Sequence, residues 1–210
     1  MKLIDLSLEM KHGSLSYPGT SAGIVLERLP FEVPGGTLTQ LTHFDPHCGT
    51  HSDAPLHFIP HSDDAASVQL QLPEIRLVSS ELNPVPANVL DRVKLMKGTA
   101  VLFSTGWEDN AGTASFFKDY PVLSPGLAEA LVAREVAVVG LDSPSPDPPD
   151  SDYPAHRMLL SAGIPILEGL VNLPALIPHL QAGQTVRLAA FPLRIQSLEG
   201  SPVRAVAIVT

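Results

Sequence analysis

Between Asp142 and Pro154 the chain reads DSPSPDPPDSDYP, with five prolines in thirteen residues. Proline holds φ near about −65° and carries no N–H, so this stretch can be neither a helix interior nor a central strand. It is either a linker between two domains or a stiff loop over a surface or an active site. Only about sixty residues follow it. They hold an apolar strand (Ile164–Leu167), a helix near Asn172–Leu180 and strands around Val186–Leu193 and Val203–Val209, which complete an existing core. One domain over 1–210 is therefore expected, with the proline run as a loop; 210 residues bury a core without disulfide or metal staples.

Ahead of the proline run, Leu3–Leu6 opens as a short strand, Lys11–Gly19 reads as a loop, and Leu38–Phe44 suits a strand. Thr99–Ser104 is a continuous apolar run between Gly98 and Gly106, the pattern of a buried strand. Ser124-Pro125 supplies an N-cap and a first-turn proline for the helical period of GLAEALVAREV. Val136–Leu141 is a second buried run. Strand, helix and strand in that order predict a crossover unit in a mixed α/β domain.

Composition narrows the function classes. Thirteen Lys and Arg against 22 Asp and Glu give a net charge of −9, which argues against wrapping nucleic acid or lying on an acidic membrane. No apolar run reaches the roughly 18 residues needed to span a bilayer. The opening MKLIDLSLEMKHGS meets charge too early for a secretory signal, and the single cysteine, Cys48, fits a reducing compartment; a cytoplasmic protein acting on a small molecule is expected.

Five of the eight histidines (His43, His47, His51, His57 and His61) fall within nineteen residues. His47 and His51 have helical spacing, but Pro46, Gly49 and Pro55 disfavour a helix, so a tight turn at Gly49 is expected. His51 and Asp53 then share one strand face. Imidazole nitrogens with carboxylate oxygens suit Zn, Mn or Fe. Further ligands must come from elsewhere. His156 sits at the start of a short helix after Pro154, with Gly163 as its stop, and Ile164–Leu167 leads to Glu168. Six helical steps advance about 9 Å and four strand steps return about 13 Å, so a strand that doubles back brings Glu168 level with His156. Local sequence equally allows Glu168 to cap the next helix and His156 to lie on the surface.

Five candidate ligands (His47, His51, Asp53, His156 and Glu168) exceed the needs of one structural zinc and fit a two-metal centre bridged by Asp53 and Glu168. His57, a short step beyond, is then free as general acid/base for hydrolysis of an acyl compound. Two other classes stay open: a non-haem iron oxygenase using His51, Asp53 and His156 as a facial triad, and a non-catalytic protein whose metal holds a loop. Cys48 is a soft donor or a small buried side chain, His43 and His61 flank the cluster, and Trp107, Phe116 and Phe117 line a pocket or pack in the core. Asp142 either orients a ligand histidine or caps a turn.

The run His47-Cys48-Gly49-Thr50-His51-Ser52-Asp53-Ala54-Pro55-Leu56-His57 matches in full the H-x-G-T-H-x-D-x-P-x-H signature of the metal-dependent cyclase family, which includes kynurenine formamidases (arylformamidases) and isatin hydrolases. Ile4–Ser7, Tyr17–Gly19, Ser104–Trp107, Val139–Ser145, Ala155–Leu160 and Ile166–Leu170 also resemble blocks of that family, so the resemblance covers nearly the whole chain. It implies a swivelling β/β/α domain with a mixed sheet, assembled as a homodimer or homotetramer. It implies one metal on His47, His51, Asp53 and Glu168, a second on Asp53, His156 and Glu168, and His57 as proton donor and acceptor. Two Zn2+ ions are expected by this resemblance; relatives that open isatin or lactone rings imply a single Mn2+ as the alternative. Where formamidases commonly place Trp before the early Pro-Gly, and Asp after it, this chain has Tyr17 and Thr20. An aromatic surface for substrate is retained at Tyr17, while the signature does not separate formamide cleavage from opening of a cyclic amide or lactone.

Overall fold

The computed structural model describes residues 1–14, 16–19 and 23–210, so Thr20 lies outside the described residues. Its first strands are β1 (Lys2–Asp5), β2 (Ile24–Leu29), β3 (Leu38–Phe44), β4 (His51–Asp53), β5 (Ile75–Ser79) and β6 (Ala100–Ser104). Helix α1 (Pro125–Ala133), β7 (Val138–Leu141), α2 (Pro154–Ser161), β8 (Ile166–Glu168) and α3 (Ile177–Gln181) follow. The chain closes with β9 (Val186–Ala189), β10 (Gly200–Pro202) and β11 (Val206–Val209).

A six-stranded mixed sheet in the order β10-β4-β8-β7-β6-β5 forms the centre. Strands β5 to β8 are parallel, whereas β4 and β10 add on antiparallel. Both faces are buried, which explains why the inner strands read as unbroken apolar runs. Val101, Phe103, Val139, Leu141 and Ile166 point to one face and pack on Leu127 and Leu131 of α1 and Leu159 and Leu160 of α2. The alternate residues Ile75, Ala100, Leu102 and Leu167 point to the other, against Ile4, Leu188, Ala207 and Val209 of the antiparallel sheet β1-β11-β9. Helices, large sheet and small sheet give the β/β/α layering expected from the sequence. Phe103 is fully buried at the centre of the helical face; Phe103→Ala is expected to cost about 3–5 kcal/mol, read from the midpoint shift in urea unfolding at constant slope.

Helix α1 begins as expected, with the Ser124 side chain accepting from the Leu127 N–H at 3.2 Å. Two strand ends differ from expectation by three residues or more, while β7 and β8 each start two residues later than expected. β9 stops at Ala189, short of Pro192, whose ring removes a ladder donor. The expected strand from Val203 starts only at Val206, because residues 203–205 carry the chain from one sheet to the other: Val203 N–H donates to the Thr50 carbonyl and Ala205 N–H to Ser7 Oγ. Among the described residues, strands β2 and β3 pair only with each other, as a two-stranded ribbon. Among the described residues no helix is long and apolar enough to cross a membrane.

Candidate metal centre

The site lies beyond the carboxyl ends of parallel strands β6, β7 and β8, on the helical side of the central sheet, where open α/β sheets leave a crevice. Its floor is set by register. His51 pairs with Glu168 and Asp53 with Ile166 across β4 and β8. His51 and Asp53, two residues apart, therefore share a face with Glu168. Gly49 makes the turn before β4 with φ +70°, in the left-handed region open to glycine. Thr50 stitches the turn to β8: its Oγ1 donates to the Gly169 carbonyl at 2.6 Å and accepts from the Leu8 N–H at 2.8 Å. His47 hangs from the same turn, its backbone N–H held by Asp45 Oδ1 at 2.9 Å.

The step from His156 to Glu168 runs as the helix-and-return arithmetic requires. Helix α2 runs out, the chain turns at Gly163, and β8 returns to place His156 Nε2 3.2 Å from Glu168 Oε1 and 3.4 Å from Asp53 Oδ2. On the opposite side, Asp53 Oδ1 lies 3.0 Å from His47 Nδ1 and 3.4 Å from His51 Nε2, and Glu168 Oε2 lies 3.3 Å from His51 Nε2. Asp53 thus turns one oxygen toward His47 and His51, Glu168 turns one toward His51, and each turns the other toward His156.

Each imidazole is also held from behind. His47 Nε2 faces Glu199 Oε1 at 3.4 Å, His51 Nδ1 donates to the Gly49 carbonyl at 3.0 Å, and His156 Nδ1 donates to Asp147 Oδ2 at 2.8 Å. Gly200, paired with Asp53 across β10 and β4, leaves room for the His47 ring; a Cβ there would come within 2.7 Å of it. Among the described residues, His51 Nε2 and both carboxylate oxygens of Asp53 are buried with no hydrogen-bond partner outside the cluster itself. Leaving such atoms dry and unpartnered costs about 1–3 kcal/mol each, more for charged groups. Converging nitrogen and oxygen donors with this unmet demand fit a metal centre. Geometry alone groups His51, Asp53 and Glu168 as one possible ligand set and His47, Asp53 and His57 as another.

Charge within the cluster is tightly balanced. Burial disfavours a charged His47, but Asp53 and Glu199 outweigh it and hold the imidazole up to about 10. Burial likewise opposes charge on His156, and Asp147, Asp53 and Glu168 raise it well above the usual range. Asp53 is held well below the ordinary carboxylate value because His156 and His47 overcome its burial. His57 differs. Burial pushes it down, Asp53 pulls the other way, and His47 and His156 add to the lowering. Its ring centroid lies 4.4 Å from that of His47.

A cavity of about 660 Å³ opens over this cluster, walled by Leu8, Met10, Tyr17, Phe58, Phe117 and Tyr153 among others. Tyr17 meets Phe117 edge-on at 5.8 Å. Phe116 and Phe117 both line the cavity, whereas Trp107 lies outside its lining and donates its indole N–H to the Phe116 carbonyl at 2.8 Å. The proline run is a loop within the one domain that reaches the cavity: residues 142–147 are buried, and Pro144 and Ser145 line it. Asp142 caps a turn, accepting from Thr105, Gly106 and Trp107 backbone N–H groups and the Thr105 hydroxyl. The carboxylate that meets the His156 imidazole is instead Asp147, five residues on. Neither Asp147 nor Glu199 was singled out by sequence reasoning; the proline run could have drawn attention to Asp147, while Glu199 carried no local signal. Cys48 is buried with its thiol pushed up to about 11 by burial and Asp45, and it belongs to neither ligand grouping. His43 lies on β3 and His61 is exposed.

Residues 4–148 match the Cyclase family model, described as "Putative cyclase". The chain is 36% identical over 174 residues to the kynurenine formamidase of Geobacillus thermodenitrificans, covering 81% of this chain and 78% of that one. It is 28% identical over 214 residues to the kynurenine formamidase of Polaromonas naphthalenivorans, covering 98% and 90%. Isatin hydrolase A from Labrenzia aggregata, solved bound to benzyl benzoate, superposes with a TM-score of 0.83 at 20% identity, over 100% of this chain and 94% of that one.

Proposed function

This chain belongs to the cyclase family, and from that premise we propose that it is a metal-dependent hydrolase of a non-peptide acyl bond, cleaving the C–N bond of an aryl formamide, an amide or a cyclic amide, or the C–O bond of a lactone. The observation that carries this reading is the division of labour between the two carboxylates. Asp53 Oδ1 faces His47 and His51, and Glu168 Oε2 faces His51, while Asp53 Oδ2 and Glu168 Oε1 face His156. That arrangement suits two Zn2+ ions, one on His47, His51, Asp53 and Glu168 and the other on Asp53, His156 and Glu168, with Mn2+ as the alternative occupant. When bound, such ions supply an activated water and polarise the acyl oxygen.

The chain's own groups do the rest. His57, beside His47 in the cavity, accepts the proton of the attacking water and returns it to the leaving nitrogen or oxygen as the acyl bond breaks. Formamide cleavage then yields formate and an amine; ring opening yields a carboxylate tethered to its amine or hydroxyl. Phe58, Phe117 and Tyr17 offer apolar surface to a flat aryl group and keep bulk water from the reacting carbon. We assign Tyr17 to substrate stacking at the position where formamidases of this family commonly carry Trp.

Exposed Leu26, Leu38 and Leu41 on the β2–β3 ribbon support self-association as a homodimer, since an isolated two-stranded ribbon is marginal in water. A single buried cysteine is in keeping with a reducing cytoplasmic setting. The function is tested by incubating chelator-stripped protein, with and without Zn2+ or Mn2+, with N-formylkynurenine, isatin and simple aryl lactones. Metal-restored turnover of at least one is expected. Turnover that survives stripping, or none on any of them with metal bound, contradicts the reading.

A further inference from the structure

Asp147 sits in the middle of the proline run and is buried beneath the site. Its carboxylate makes three bonds, all to one short stretch. Oδ1 accepts from the Ala155 N–H at 2.9 Å, and Oδ2 accepts from the His156 N–H and from His156 Nδ1, both at 2.8 Å. The residue preceding α2, Tyr153, has a left-handed backbone (φ 53°) and no side-chain capping bond. Asp147 therefore does at long range what an N-cap ordinarily does, and at the same time holds the imidazole of the first helical turn.

The loop that carries Asp147 is itself tied down. Tyr120 is buried and donates its hydroxyl proton to the Asp147 carbonyl at 3.0 Å. That proton being committed, the 3.0 Å contact between the Tyr17 and Tyr120 hydroxyls has Tyr17 as donor. A hydrogen-bonded chain thus runs from the cavity wall at Tyr17, through Tyr120 and the 147 backbone, to the imidazole of His156.

From this geometry we infer that Asp147 is a positioning residue for the His156 side of the centre: it keeps the proton on Nδ1, fixes the ring plane and aims the Nε2 lone pair between Asp53 and Glu168. The inference rests on the two-ion reading above. A carboxylate behind a ligand imidazole typically changes metal affinity by about 10–100-fold. The contrast with His47 is internal to the site, since the carboxylate behind that ring, Glu199, is 3.4 Å away and partly exposed, whereas Asp147 is buried at 2.8 Å. The second ion should therefore depend on Asp147 far more than the first.

The test is calorimetric titration of chelator-stripped protein with Zn2+ alone. Native protein is expected to take two ions per chain. His156→Ala should lose the second and keep the first; Asp147→Asn should retain the first at native affinity and bind the second about 10–100-fold more weakly, with Tyr120→Phe shifted in the same direction by less. A general structural role would weaken both ions together, and that result, or native affinity for both in Asp147→Asn, overturns the inference alone. Uptake of one ion or none by native protein overturns the two-ion reading and this inference with it. Native protein gives a further reading that needs no variant: long-range 1H–15N spectra of the zinc-loaded form should show His156 protonated at Nδ1, and protonation at Nε2 would overturn the inference.

Discussion

Asp53→Asn is expected to strip both ions from the protein and to lower hydrolysis by about a thousandfold or more, the rate equivalent of about 4 kcal/mol of lost transition-state stabilisation. Asp53 is buried in β4, and its two oxygens divide between the His47–His51 side and the His156 side. Asparagine keeps the volume but replaces one of those oxygens with an NH2 donor, aimed at nitrogens that must themselves stay free to coordinate. The Asp53 oxygens face the cluster histidines His47, His51 and His156, and the strand is held by its backbone ladders to β8 and β10, so the fold should persist. Elemental analysis beside a circular dichroism spectrum checks both halves. A folded variant that keeps two ions, or keeps native turnover, contradicts the bridging role.

His57→Ala should separate chemistry from metal binding. Loss of a positioned general acid/base costs about 10²–10⁴-fold in kcat, while His47, His51, Asp53, His156 and Glu168 remain to hold the ions. His57 could in principle join His47 and Asp53 as a ligand, because all three offer donor atoms close together. Metal content decides between these roles. Two ions per chain with kcat lowered by the expected factor assigns proton transfer to His57; a lost ion makes it a ligand; native kcat removes it from the mechanism.

Much of this site was legible because its determinants are local. The glycine turn and the alternation of β4 put His51 and Asp53 on one face, and the helix-and-return between His156 and Glu168 is fixed by rise per residue alone. Ser124 was readable as an N-cap for the same reason. What escaped the sequence is held by contacts distant along the chain. Glu199 and Gly200 reach His47 only because β10 pairs with β4, nearly 150 residues earlier, and three residues bounded by proline carry no periodic signal. Asp147 was one of four aspartates in a loop, and only the backbone of α2 shows which of them faces His156. Strands β2 and β5 were also missed. In β2, IVLERL mixes charge into a ribbon with exposed positions, and β5 is a short central-sheet edge that declares itself only by pairing with β6.

The central claim is that two carboxylates divide one pocket into two cation positions. Anomalous difference maps from crystals of the zinc-loaded protein test it most directly. Two peaks per chain are expected, one among His47, His51, Asp53 and Glu168 and the other among Asp53, His156 and Glu168. A single peak at full zinc saturation, or none in the pocket, would contradict it.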